Sequence, residues 1–148
     1  MPISRGWRAI ALVSCLLFPA LGPAQTSAMT LRDLETLMEE IVGDVAAERH
    51  DEAAQKMGRL GDAFRPEDLR KSFQGFAPLG KPLYSDKIVD RSYGNSGKDV
   101  IYKIAYQQNM LFARFIIHRQ RDGWTVYNFA FQTENQAPLP RAWPHVYP

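Results

Sequence analysis

A period-two alternation of apolar and polar residues, running in three bursts through residues 99–131, constrains this chain more than any other feature. Residues 100–106, 111–117 and 124–131 are rich in β-branched and aromatic side chains, and Gln108-Asn109 and Arg121-Asp122-Gly123 separate them. That pattern predicts an antiparallel three-stranded meander. Asn and Gly accept the positive φ that tight hairpins need, so two-residue loops at Gln108-Asn109 and Asp122-Gly123 set a register. Tyr106 then faces Leu111, Ile104 faces Ala113 and Tyr102 faces Phe115; across the second turn Arg119 meets Val126, Ile117 meets Asn128 and Phe115 meets Ala130. One face collects Val100, Tyr102, Ile104, Tyr106, Leu111, Phe115, Ile117, Trp124 and Val126. At roughly 1.5–3 kcal/mol per fully buried large side chain, this face is the predicted core side. The other face holds Ile101, Lys103, Ala105, Phe112, Arg114, Ile116, His118, Tyr127, Phe129 and Phe131, a mixture of aromatics and cations.

The natural lid for the apolar face lies upstream. Leu34, Leu37, Met38, Ile41, Val42 and Val45 recur at spacings of three and four, with Arg32, Glu35, Glu39, Asp44 and Glu48 elsewhere, which predicts an amphipathic helix over about residues 31–49. Thr30 is its expected N-cap, paired with Asp33. Asp51 is expected to cap a second helix through Ala53, Ala54, Met57 and Leu60, and Pro66 to open a third through Leu69, Phe73 and Phe76. Two Gly and two Pro within residues 75–82 close the helical half, and a first strand is expected over 83–91. The predicted class is α+β, with N-terminal helices packed on a curved antiparallel sheet.

The N-terminus is a separate object. Arg5 and Arg8 precede an apolar run over residues 9–21, too short to span a bilayer comfortably, and small residues follow. This predicts a cleaved secretory signal over residues 1–24, with cleavage after Ala24 or, second, Ala28, and hence a secreted or periplasmic protein without a stable membrane anchor. A lipoprotein reading of Leu12-Val13-Ser14-Cys15 is disfavoured because Cys15 sits midway through the apolar run. A single domain over 25–134 follows, then a Pro-rich tail over 135–148 whose Pro138, Pro140, Pro144 and Pro148 favour an extended strap.

Removing the signal changes the charge argument. The full chain holds 18 Lys and Arg against 16 Asp and Glu, and the signal takes two of the cations, so the mature chain is formally neutral. No cationic surplus remains to neutralise phosphates, and nucleic acid is not an expected partner. The charges are nonetheless segregated, with acids concentrated before residue 81 and cations after it. Cys15 is the chain's single cysteine, so the mature chain has no thiol or disulfide chemistry.

Three helices followed by a long-stranded sheet ending in Asp122-Gly123-Trp124-Thr125-Val126 resemble the nuclear-transport-factor-two-like superfamily of α+β cones. That group contains isomerases and dehydratases as well as small secreted bacterial proteins. The likeness covers about residues 30–133. It implies a sheet curled around a pocket roofed by the helices and dimerisation through the outer sheet face, and it leaves function open.

On the inner face, Tyr102, Tyr106, Phe115, Trp124 and Asn128 are the expected pocket residues. An isomerase or dehydratase acting there needs a carboxylate base in a dry cavity. None of the meander strands offers one on that face, which leaves Asp86 or Asp90 of the first strand, and Asp90 with Tyr102 and Tyr106 is the alternative catalytic set. His50, His118 and His145 lie in unrelated segments, no metal-ligand spacing joins them, and no cofactor pattern or Gly-x-Ser-x-Gly elbow is present. The expected function is non-catalytic binding of a small apolar ligand or of a partner. For the latter, Phe112, Arg114, Ile116, His118, Tyr127, Phe129 and Phe131 are the expected interface, since aromatics and Arg mark interface centres. A homodimer and the tail, through Leu139, Trp143, Val146 and Tyr147, are the competing covers for that face.

Overall fold

The computed structural model describes residues 29–61 and 63–133. The expected signal segment over residues 1–24, its expected cleavage after Ala24 or Ala28, the tail 135–148 and His145 lie outside them. Three helices, α1 (Leu31–Ala46), α2 (His50–Gly58) and α3 (Pro66–Gln74), precede a 3-10 turn (Ala77–Leu79) and four strands. The strands β1 (Pro82–Tyr93), β2 (Gly97–Tyr106), β3 (Met110–Gln120) and β4 (Gly123–Thr133) form one open antiparallel sheet in the order β1-β2-β3-β4. The class is therefore α+β, with the helices packed on one sheet face.

Thr30 caps α1 as its position predicts. The Asp33 backbone N–H donates to Thr30 Oγ1 at 3.1 Å, and the Thr30 hydroxyl donates to Asp33 Oδ2 at 2.7 Å. Thr30→Ala is expected to cost about 1 kcal/mol, read as a lower urea midpoint with an unchanged slope. The helix ends at Ala46, short of the expected residue 49, because Glu48 adopts φ 58° and turns the chain. Arg49, not Asp51, occupies the N-cap position of α2.

Asp44 explains this corner. Expected on the polar face of α1, it is instead 3% exposed, because α2 packs over it. Arg49 Nη2 approaches Asp44 Oδ1 at 2.6 Å, Lys56 Nζ approaches Oδ2 at 2.7 Å, and the Arg49 backbone N–H donates to the Asp44 carbonyl at 2.8 Å. Desolvation pushes the Asp44 carboxyl up, but hydrogen bonds and attraction from Lys56 and Arg49 outweigh it and hold the group below its ordinary range. A lowered folded value means that ionised Asp44 stabilises the fold above the unfolded value of about 3.9. That contribution disappears as pH falls through the folded value. Asp44→Asn is expected to cost roughly 1.5–3 kcal/mol at neutral pH and to flatten the acid limb of a stability–pH profile measured by urea unfolding.

The core joins the α1 stripe to the predicted sheet face. Leu34, Leu37, Met38, Ile41, Val42 and Val45 are buried in one cluster with Val100, Tyr102, Ile104, Tyr106, Leu111, Phe115, Ile117 and Val126, and Trp124 packs against it. The acidic helical half meets the basic strand half through Glu35–Lys98 and Glu39–Lys87 ion pairs.

The strand register differs from the expected one in an instructive way. Ile104 pairs with Leu111, Tyr102 with Ala113 and Val100 with Phe115, so the loop residues are Gln107-Gln108. The Gln107 and Gln108 amides are tied to the carbonyls of Lys81 and Leu79, both at 3.0 Å, so tertiary hydrogen bonds set this turn rather than the positive φ of Asn. The second loop is Arg121-Asp122, with Gln120 opposite Gly123, Arg119 opposite Trp124 and Ile117 opposite Val126. Both shifts are by two residues, which preserves the face of every side chain near the turns.

A bulge between Ile116 and Ile117 then breaks the parity of β4. Beyond it Ile116 pairs with Asn128, Phe115 with Phe129 and Ala113 with Phe131. One extra residue reverses faces. Phe129 and Phe131, expected on the outer face, therefore point to the helices and pack against the core, while Asn128, expected in the pocket, is exposed on the other side, where Ala130 is half-buried. No helix among the described residues is long and apolar enough to cross a membrane.

Candidate functional site

Aromatic rings fill the space between helices and sheet. Phe115 stands edge-on to Tyr102 at 6.0 Å and stacks with Phe129 at 6.4 Å. Phe64 meets Phe129 at 5.0 Å, and Phe73 meets Phe131 at 5.6 Å. The two rings that the bulge turns inward thus complete a filled interior.

The alternative catalytic set is not assembled. Asp90 lies opposite Val100, six residues along β2 from Tyr106, which is about 20 Å at the rise of a strand. Its carboxylate is held by Lys98 Nζ at 2.8 Å, and Lys98 also pairs with Glu35. Burial pulls the Lys98 ammonium down, but the hydrogen bonds it donates to Asp90 and Glu35, with their negative charge, outweigh that and raise it above its ordinary range, so the cation is held in place. Lys87 joins the band through Glu39 at 2.7 Å and lies 5.8 Å from the Tyr102 ring centre. The buried Tyr102 hydroxyl is raised above its ordinary range by desolvation and then by Glu39, Glu35 and Asp90. An Asp90 neutralised by a lysine is a structural ion-pair partner rather than a base poised over a cavity.

Tyr106 sits in different surroundings. It forms the wall of a half-open cleft of about 320 Å³, lined also by Glu48 and His50 from the α1–α2 corner, Phe76, Ala77, Gly80 and Lys81 from the 3-10 turn, and Gln107. Two non-helical corners face each other here. Glu48 carries the only positive φ among the described non-glycine residues, a sparsely populated conformation that clusters at functional sites. Gly80 takes φ 82°, and a Cβ on it would lie 3.2 Å from the Gln107 Cβ. Gln107 Oε1 accepts from the Lys81 amide at 3.3 Å, which locks the turn to the end of β2. His50 packs at 5.6 Å against Phe73 and so is anchored to the core.

Within this frame the Tyr106 side chain is 7% exposed, and its buried hydroxyl has no hydrogen-bond partner among the described residues. Desolvation, with a smaller contribution from Glu48, pushes that hydroxyl up to about 12, so it is a neutral donor and acceptor at physiological pH. An unpaired buried hydroxyl costs about 1–3 kcal/mol unless something satisfies it. The cleft therefore offers an apolar wall at Phe76 and Ala77, one unsatisfied hydroxyl, and a charged rim of Glu48 and Lys81.

The outer sheet face carries a second apolar cluster of Val89, Ile101 and Phe112, joined by Ile88 and Ala130. Beside it Asp99, with no exposed surface, receives a two-pronged contact from Arg114 at 2.9 and 2.6 Å, and the Tyr93 hydroxyl lies 3.4 Å away. His118 stacks on Tyr127 at 5.0 Å and 11°. Of the residues expected there, Phe112, Arg114, Ile116, His118 and Tyr127 do lie on this face.

Sequence reasoning picked out Tyr106 but not Glu48, His50, Lys81 or Gln107, since nothing in a local pattern brings residues 48–50, 76–81 and 106–107 together. A faint signal existed in the Gly80-Lys81-Pro82 break. No group of three or more His, Cys, Asp or Glu side chains is placed to hold a metal among the described residues. Comparison with protein-family models, with curated proteins and with solved structures finds no match for this chain.

Proposed function

We propose that this chain is a secreted or periplasmic, non-catalytic binding protein of nuclear-transport-factor-two-like architecture. Its ligand is small and mostly apolar and enters the cleft beside Tyr106. The observation that carries this reading is the buried Tyr106 hydroxyl, which lacks a partner at the wall of a half-open cleft. A ligand with one hydrogen-bonding group satisfies it while laying its apolar body against Phe76 and Ala77. The isomerase or dehydratase alternative has less support, because the interior is occupied by rings and Asp90 is paired with Lys98.

Two measurements on Tyr106→Phe separate a ligand-facing hydroxyl from a structural one. With no partner to lose, the variant is expected to keep its stability or gain up to about 1 kcal/mol. Its binding of small phenols and carboxylic acids, followed as amide shifts at Gly80, Gln107 and Glu48, is expected to weaken about two- to tenfold, the worth of one hydrogen bond. A clear loss of stability, or wild-type cleft amides that none of these compounds moves, overturns the reading.

A further inference from the structure

We propose that β1 pairs with β1 of a second copy of this chain, edge to edge and antiparallel, joining two sheets into one. The starting observation is the order of residues along that strand. Residues 84–93 read Tyr-Ser-Asp-Lys-Ile-Val-Asp-Arg-Ser-Tyr. Laid antiparallel against itself about the Ile88-Val89 step, this segment sets Tyr84 against Tyr93, Ser85 against Ser92, Asp86 against Arg91 and Lys87 against Asp90. A two-fold axis makes each of these contacts twice, since residue i of one copy meets residue j of the other and the reverse. Opposite charges and aromatic pairs directly across an antiparallel ladder stabilise it, and like charges there repel.

The fold makes this order usable. β1 is an outer strand of an open sheet, and residues 83–87 and 90–93 are exposed. An edge strand presents N–H and C=O groups on which another strand can template. The two-fold between antiparallel edge strands stands perpendicular to the sheet, so residues that meet across it must lie on the same face. In a regular strand Lys87 and Asp90, three apart, lie on opposite faces. The bulge between Lys87 and Val89 removes that obstacle by adding one residue. Lys87, opposite Tyr102, and Asp90, opposite Val100, both stand on the helix side, where they reach Glu39 and Lys98. Asp86, opposite Lys103, and Arg91, opposite Asp99, both stand on the other side, as do Tyr84 and Tyr93. Every proposed contact is therefore matched in face as well as in charge, with Ile88 and Val89 of the two copies meeting at the axis.

Charges on an edge strand ordinarily ward off a second strand. Here they select one register instead. A slide of two residues in either direction, the smallest that keeps the faces, sets Lys87 against Lys87 or Asp90 against Asp90 at the axis. The opposite edge, β4, has no charged residue between Gly123 and Thr133 and so carries no such code.

The test follows the mass of the full 148-residue chain by sedimentation equilibrium over a range of concentrations, where the parent is expected to form a dimer. Asp86→Arg sets like charges across both contacts between positions 86 and 91, and so does Arg91→Asp. Each variant alone is expected to dimerise at least about tenfold more weakly than the parent. An equimolar mixture of the two is expected to recover the parent's affinity to within about threefold, because every contact between positions 86 and 91 then joins opposite signs. A parent that stays monomeric, a dimer that either variant leaves intact, or a mixture that fails to recover overturns the proposal. Should either variant not fold, backbone amide exchange in the parent decides the matter. Exchange along β1 is expected to slow several-fold as concentration rises, with that of β4 unchanged; β1 exchange indifferent to concentration overturns the pairing.

Discussion

Replacing Arg114 by Leu is expected to lower stability by about 3–5 kcal/mol, the range for stranding one member of a buried ion pair. The Asp99 side chain is 1% exposed, and the guanidinium approaches both of its carboxylate oxygens. Without Arg114 the Tyr93 hydroxyl at 3.4 Å is the further side-chain hydrogen bond to the carboxylate among the described residues, too long and too weak to balance a desolvated charge. For a domain whose whole stability is about 5–15 kcal/mol, the single variant should be partly unfolded at moderate urea. The double variant Asp99→Leu with Arg114→Leu separates charge from shape: removing both ions is expected to recover most of the loss, because two apolar groups need no solvation. Urea midpoints for the two single variants and the double one complete the cycle. A single Arg114→Leu variant as stable as the parent would mean that Asp99 reaches water.

The second large effect is expected at Phe115. Its side chain is fully buried, touches the rings of Tyr102 and Phe129, and lies midway along the central strand β3. Phe115→Ala is expected to cost about 3–5 kcal/mol from lost transfer energy and the cavity left behind. Phe129→Ala should cost a smaller amount in the same direction, since this ring is partly buried against the same cluster. Asn128→Ala, one residue away but exposed, should change stability by no more than about 0.5 kcal/mol. Thermal and urea unfolding of the three variants together test the bulge: equal losses at 128 and 129 would remove the parity change on which the filled interior depends.

These residues also show what kind of information each level of description holds. The alternation of residues 100–126 and the three-and-four spacing of the α1 stripe determine which sides meet, because burying large apolar groups outweighs any other local preference. Thr30 and Pro66 could likewise be placed from the sequence, as their roles depend on neighbours a turn away. Even a turn misplaced by one residue left the core face intact, since both strands of the hairpin then shift together by two.

Tertiary structure alone decided the rest. The bulge opposite Ile116 and Ile117 answers to packing between rings on α3 and β4, so no periodicity announced that Phe129 and Phe131 would exchange faces with Asn128. Asp44 counted as one more acid on a solvated stripe until α2 folded over it. The Tyr106 cleft required three segments spanning residues 48–107 to converge, held by hydrogen bonds such as Gln107 to Lys81. Local periodicity reports how much apolar surface a segment must hide and on which side. It carries no information about which distant backbone group will reach a given amide, and that is where the site arises.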